Sequence, residues 1–245
     1  MDPIRKLEDS RSNGARLPIL YEDADVVAVA KPAGLITHSD GRTQEATAED
    51  WFTETYPEGA GYVHRLDRDT SGVLVFAKNT AAYEFLRKAF HDREVKKSYL
   101  AFVYGVPKQK KGVIDFSIGR SRSDFRLRSA QPKAKGRLRE ALTHYEVVGE
   151  SGDYALMKMS PETGRTHQIR VHLKAIHHPI VGDALYAPKR EPALGVTRLG
   201  LHAYELDLPL PSGKRAHIIA PIPDDLAPAF AHFPDAAKFA PPPNA

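Results

Sequence analysis

The sequence predicts an α+β fold: a mixed, mainly antiparallel sheet flanked by a few helices. Three observations carry this. Short β-rich runs recur in pairs around turn residues, one long apolar run suits a buried strand, and two or three stretches show helical spacing. Ile19–Tyr21 and Val26–Lys31 flank the turn Glu22–Asp25 and read as a hairpin. Gly72–Lys78 (GVLVFAK) is apolar and β-branched, long enough for a buried strand and too short for a helix. Asn79 or Thr80 caps a helix running to about Asp92, with Tyr83, Leu86 and Phe90 on one face. Lys97–Gly105 (KSYLAFVYG) is a further strand. Ala141–Val148 and Tyr154–Ser160 pair around Gly149–Asp153. Thr166–Ile176 is helical, with Ile169, Leu173 and Ile176 inward and Thr163 or Thr166 as cap. Leu199–Leu206 and Lys214–Ile219 close the fold around Pro209–Gly213.

At 245 residues and 42% hydrophobic, the chain can bury a substantial core, which excludes wholesale disorder. Residues 1–16 are polar and expected to form a mobile leader, 17–232 a single globular domain, and 233–245 (ending PPPNA) a flexible tail. There are no cysteines, so disulfides, thiolate zinc sites and cysteine nucleophiles are excluded, and a cytoplasmic location is expected. No window holds about 18 apolar residues in a row, so no membrane association is expected.

Net charge is only +4, but it is unevenly placed. Between Arg93 and Arg139 there are 14 Lys and Arg against 3 acids, a net +11 that leaves −7 for the rest of the chain. Such a segment is either a solvated face or a phosphate-binding surface. Arg126, Arg128, Lys133 and Lys135 are the candidates for the second reading.

Two segments carry chemistry. In Tyr62–Gly72 (YVHRLDRDTSG) a charged turn feeds the buried strand, placing Asp67 where polar groups can face a cleft. On spacing alone the simpler reading is that Asp67 caps the turn or pairs with Arg65 or Arg68. In Gly164–Leu173 (GRTHQIRVHL), Arg170 lies on the flank of an amphipathic helix, within reach of a carboxylate. Eleven histidines invite a metal site, yet His167 with His172, and the adjacent His177 and His178, lack chelating spacing; no metal is expected. Ser71 with His64 hints at a hydrolase, but there is no G-x-S-x-G elbow. Neither a P-loop nor G-x-G-x-x-G is present, so no nucleotide cofactor is expected.

Together HRLDRDTSG, KSYLAFVYG and GRTHQIRVHL resemble, in order and spacing, the RluA-like family of RNA pseudouridine synthases. So do ILYEDADVVAVAKPAGLITH, HHPIVGDALY and RLGLHAYEL, and the resemblance spans about Ile19 to Ala220. It implies the pseudouridine synthase catalytic fold, an isomerase needing no cofactor, and an RNA partner, a tRNA or rRNA stem-loop, handled by a monomer. Many relatives carry a small basic RNA-binding domain ahead of the hairpin. About 18 residues precede Ile19 here, so RNA selection is expected to rest on the catalytic domain. The resemblance assigns Asp67 as the catalytic carboxylate, Arg170 as its positive partner and Tyr99 as the aromatic that stacks on the target uracil. It makes Arg65 the residue that fills the vacated stack when the base flips. Lys31, in the KPAGL turn, is expected to be structural near the cleft. Two rival classes remain at this point: a catalytically idle RNA-binding or ribosome-assembly factor, and a hydrolase of glycosidic bonds.

Overall fold

The computed structural model describes residues 16–39, 41, 45–122, 124, 126–130 and 134–239. The leader residues 1–15, Lys133 and the last six residues lie outside the described residues.

The first hairpin forms as the turn residues dictate. β1 (Ile19–Glu22) and β2 (Val26–Lys31) pair antiparallel, and Asp23 closes the turn by accepting from the amides of Asp25 and Val26. A capping box joining Thr47 and Asp50 starts α1 (Ala48–Thr55), which the hydrophobic spacing had not suggested. After the two-residue β3 (Gly61–Tyr62) comes β4 (Ser71–Ala77), buried at every residue. Its side chains alternate. Val73, Val75 and Ala77 pack under α2 (Thr80–His91), while Leu74 and Phe76 face Phe52 of α1. Both faces covered is why this strand reads as one apolar run. Asn79 caps α2 by accepting from the Ala82 amide at 2.9 Å.

β5 (Lys96–Tyr104) alternates in the same way. Ala101 and Val103 meet one core cluster, and Leu100 and Phe102 another. The basic segment then supplies β6 (Lys111–Asp115), β7 (Ile118–Arg120), β8 (Arg128–Ser129) and β9 (Lys135–Arg139). Of these, β7, β8 and β9 form a separate small sheet, ordered β8-β7-β9. β10 (Leu142–Ser151) and β11 (Tyr154–Pro161) make the long hairpin, followed by α3 (Gln168–Ala175) and by β12 (Leu201–Pro209) paired with β13 (Arg215–Ile219). The main sheet runs β1-β2-β4-β12-β5-β11-β10-β6, with β13 on β12 and β3 on β4. All its pairings are antiparallel except β4 with β12. That parallel contact joins the two halves of the sheet beside the turn carrying Asp67. A Cβ at Gly72 would fall 2.1 Å from the Ala203 carbonyl oxygen, so only glycine lets these strands meet.

Two expectations are corrected. The flexible tail does not begin at Phe233: α4 (Ala227–Phe230) and a 3-10 helix (Pro234–Phe239) lie against the main sheet, with Phe230, Phe233, Ala236 and Phe239 buried around Phe102 and Leu156. Proline-rich surroundings hid a set of apolar anchors whose burial fixes the segment. The second helix begins two residues later than spacing suggests, because His167 takes a left-handed φ of 57°. Neither Thr163 nor Thr166 caps it; the Thr163 hydroxyl instead donates to Gln168 Oε1 and accepts from the Leu142 amide. Among the described residues no helix is long and apolar enough to cross a membrane.

Candidate active site

The turn Asp67–Thr70, closed by the Thr70 amide on the Asp67 carbonyl at 3.1 Å, projects the Asp67 carboxylate into a cavity of about 670 Å³. The KPAGL turn holds it there. Lys31, 1% exposed, donates from Nζ to the carbonyls of Pro32, Leu35 and Arg68 at 2.7–3.0 Å. Thr37 Oγ1 donates to the Leu66 carbonyl and accepts from the Leu66 amide. An ammonium with all three protons committed to carbonyls is a backbone clamp, so Lys31 acts on the turn rather than on anything in the cavity. Burial pushes Lys31 down to about 7, against the opposing charges of Asp69 and Asp67.

Arg170 approaches Asp67 from α3, Nη1 to Oδ2 at 3.4 Å. Its main partner is another carboxylate: Nε and Nη2 each meet Asp183 at 2.8 Å, a two-pronged bridge. The surface arginine expected from the helix alone is therefore buried, with 5% of its side chain exposed and none of Asp183's. Burial opposes the Arg170 charge, but the Asp183 bonds and the charges of Asp183 and Asp67 outweigh it and hold the guanidinium firmly protonated. Asp183 also accepts from the amides of Leu185 and Tyr186, which hold it independently of Arg170. At the preceding Gly182, φ is 74° and a Cβ would lie 1.9 Å from the Arg198 carbonyl oxygen. Only glycine allows that approach.

Tyr99 lines the same cavity from β5, and burial followed by the Asp67 charge raises its phenol well above the usual range. It therefore presents a neutral ring and an O–H. Arg65 stands exposed at the mouth. Lys97 lines the cavity as well, lowered to about 8 by burial and then by Arg93. His167, in its strained left-handed turn, sets Nε2 4.0 Å from Asp67 and Nδ1 2.9 Å from the Tyr186 hydroxyl. Burial lowers His167, favouring the neutral ring. The Tyr186 ring lies under the Arg170 guanidinium at 5.1 Å, and its oxygen accepts from the Arg128 amide.

The structure thus brings Asp67, Tyr99, Arg170 and Arg65 around one cavity. It does not bring Arg126 or Arg128 into the lining. Arg126 is bonded to Asp124 at 2.6 Å, whereas the Arg128 charge acts on His167. Lys135 enters β9 through its backbone. Asp183 and Tyr186 were not singled out by residue chemistry, and His167 was weighed only as a metal ligand. Their signal lay in GRTHQIRVHL and HHPIVGDALY, where they looked like helix and loop residues. The Ser71–His64 pairing does not form: His64 accepts from the Val75 amide, and Ser71 meets His202 at 2.9 Å, where both are 2% exposed and closed to any substrate.

Comparison with known proteins decides the family. Residues 25–175 match the model for RNA pseudouridylate synthase. The chain belongs to the RNA pseudouridylate synthase family. This is a family of isomerases. The chain is 42% identical over 221 residues to an uncharacterized RNA pseudouridine synthase of Mycobacterium bovis, covering 86% of this chain and 70% of that one. It is 40% identical over 223 residues to the ribosomal large subunit pseudouridine synthase D of Nitrosomonas europaea, covering 86% and 63%. The chain spans about two thirds of the length of such relatives. Among solved structures it resembles human RNA pseudouridylate synthase domain containing 1 (TM-score 0.71, 28% identity, 87% of each chain). It also resembles domain containing 4 (TM-score 0.73, 25% identity, 88% and 92%). The mixed, mainly antiparallel sheet expected from the sequence is the fold these proteins share.

Proposed function

We propose that this chain converts uridine to pseudouridine within a structured stem-loop of tRNA or rRNA, with Asp67 as the group that acts on the sugar. The carrying observation is the placement of the Asp67 carboxylate in the cavity beside Arg170, which Asp183 anchors from behind. The target base leaves its stack and enters the cavity, where Tyr99 supplies a flat face. Arg65, at the mouth, stacks into the gap left in the RNA.

Asp67 then either attacks the anomeric carbon or removes a sugar proton to leave a glycal; either way the bond to nitrogen 1 breaks. The base turns, carbon 5 bonds to the sugar and loses its proton, and nitrogen 1 gains one. Atoms and electrons balance within the nucleotide, so the reaction requires no oxidant, metal or group donor. The Nitrosomonas relative is named for the large ribosomal subunit, which supports rRNA among the two substrate classes.

The test is pseudouridine mapping in total RNA from cells with and without the gene. Loss of one or a few pseudouridines in a stem-loop is expected. An unchanged map would favour an idle RNA-binding factor, and free uracil released by the pure protein would mark a glycosidic hydrolase.

A further inference from the structure

A second groove, of about 650 Å³, adjoins the active cavity, lined by Lys174, His177, Tyr186, Pro188, Lys189 and Arg190 among others. Tyr186 lines this groove and packs against Arg170 and His167, which line the active cavity. Its ring faces the Arg170 guanidinium at 5.1 Å and the Lys174 ammonium at 5.6 Å. Arg170 and Lys174 stand one turn apart on α3, about 6 Å along the helix.

No Asp or Glu is among the residues lining the groove. Among the described residues, none of Lys174, Lys189 and Arg190 has a carboxylate within 4.0 Å. Lys174 and Arg190 (the latter 5.3 Å over the Tyr104 ring) rest on aromatic faces, which orient their charge without neutralising it. This contrasts with Arg126, whose charge is already met by Asp124. The groove also lies outside Arg93–Arg139, in the part of the chain that sums to −7, so its charge is a product of folding and not of local composition.

We infer that this groove holds the phosphodiester backbone of the substrate RNA next to the flipped uridine. The inference rests on the proposed function. Free cations concentrated in a groove without acids fit a chain of phosphates, and the contacts of Tyr186 with Arg170 and His167 put the groove beside the strand that must feed the cavity.

The test uses the full chain with Lys174, Lys189 and Arg190 all replaced by Glu. Binding is read with labelled total tRNA, since phosphate contacts are sequence-independent, and turnover with total RNA from cells lacking the gene. Affinity for tRNA at low salt should fall roughly tenfold or more, and the slope of log affinity against log salt should flatten by about 2 to 3. Turnover at saturating RNA should stay within about twofold of the parent, because binding lost equally in ground and transition states raises KM alone. Unchanged affinity and slope overturn the inference.

If the triple-Glu chain does not fold, the K174Q, K189Q and R190Q combination carries the same test with a smaller loss. A photo-crosslinker at exposed Pro188 gives a second reading: crosslinks to RNA are expected, while crosslinks only to a second copy of the chain, or none, overturn it. A parent that makes no pseudouridine in any RNA defeats the proposed function instead, a result distinguishable from an active parent with an unaffected variant.

Discussion

Two regions of this molecule are rich in charge, and they use it in opposite ways. In the Arg93–Arg139 segment most of the described cations are exposed and several have nearby acids: Lys110 meets Glu150 at 2.5 Å, Lys111 meets Glu146 at 2.9 Å, Arg126 meets Asp124. Such pairs contribute about 0–1 kcal/mol each and weaken in salt. In the Asp67–Arg170–Asp183 cluster a single buried arginine serves two carboxylates, one of them wholly buried. Removing one member there strands a charge that the interior cannot solvate. The difference teaches that charge density along a sequence locates neither the chemistry nor, by itself, the binding surface. Burial does the first, and the absence of local acids does the second.

The contrast breaks most visibly at Arg170. Arg170→Leu should abolish pseudouridine formation and destabilise the fold by about 3–5 kcal/mol, because Asp183 and Asp67 both lose their counter-charge. Thermal melts equal to the parent's would show that the cluster is not a desolvated unit.

A buried group without a counter-ion sharpens the point. Burial pulls His202 down to about 4, although its contact with the Ala220 carbonyl favours the proton. Between pH 6.5 and 4 the unfolded chain binds a proton that the folded chain refuses. The stability from neutral His202 is thus complete above 6.5 and is lost as pH falls through that window, by roughly 3 kcal/mol in all. His202→Gln should flatten this part of the pH dependence in melts taken from pH 7 to 4; an unchanged curve would remove His202 as its source.

The surface region should respond least. Reversing Arg126, Arg128, Lys133 and Lys135 to Glu together should weaken RNA binding to correct and incorrect RNAs alike and flatten the salt slope. Arg126→Glu alone should change affinity by less than about threefold, since Asp124 already meets that charge. Arg128→Glu should carry more of the loss. Equal effects from the two single variants, measured at low salt, would mean that local pairing does not discriminate between them.

Much of the frame was legible from alternation and turn chemistry. β4 and β5 are long and apolar, and Asn79 is an N-cap by residue type. α1 has only two buried residues, Ala48 and Phe52, so periodicity gave little to read, although its capping box was visible as Thr47 and Asp50. β6 to β9 lie in charged sequence and owe their form to pairing with distant strands or with one another. At the site, Asp67, Tyr99, Arg170 and Arg65 were legible through resemblance, and all four reach one cavity. Asp183 was not, because a carboxylate after Ile-Val-Gly reads as a turn residue; only the fold brings it to Arg170, 13 positions away. The left-handed His167 was equally hidden, since its role depends on a backbone angle that residue type disfavours.

The most direct test concerns the carboxylate itself. Asp67→Asn keeps the shape of the side chain and removes its negative charge, leaving Arg170 bridged to Asp183. Pseudouridine formation should be followed in single turnover on RNA from cells lacking the gene, beside a melt and a binding curve. Loss of at least several orders of magnitude in rate is expected, with RNA affinity within a few fold and a melt close to the parent's. Measurable conversion by Asp67→Asn at a rate near the parent's would contradict the assignment of the chemistry to this buried cluster.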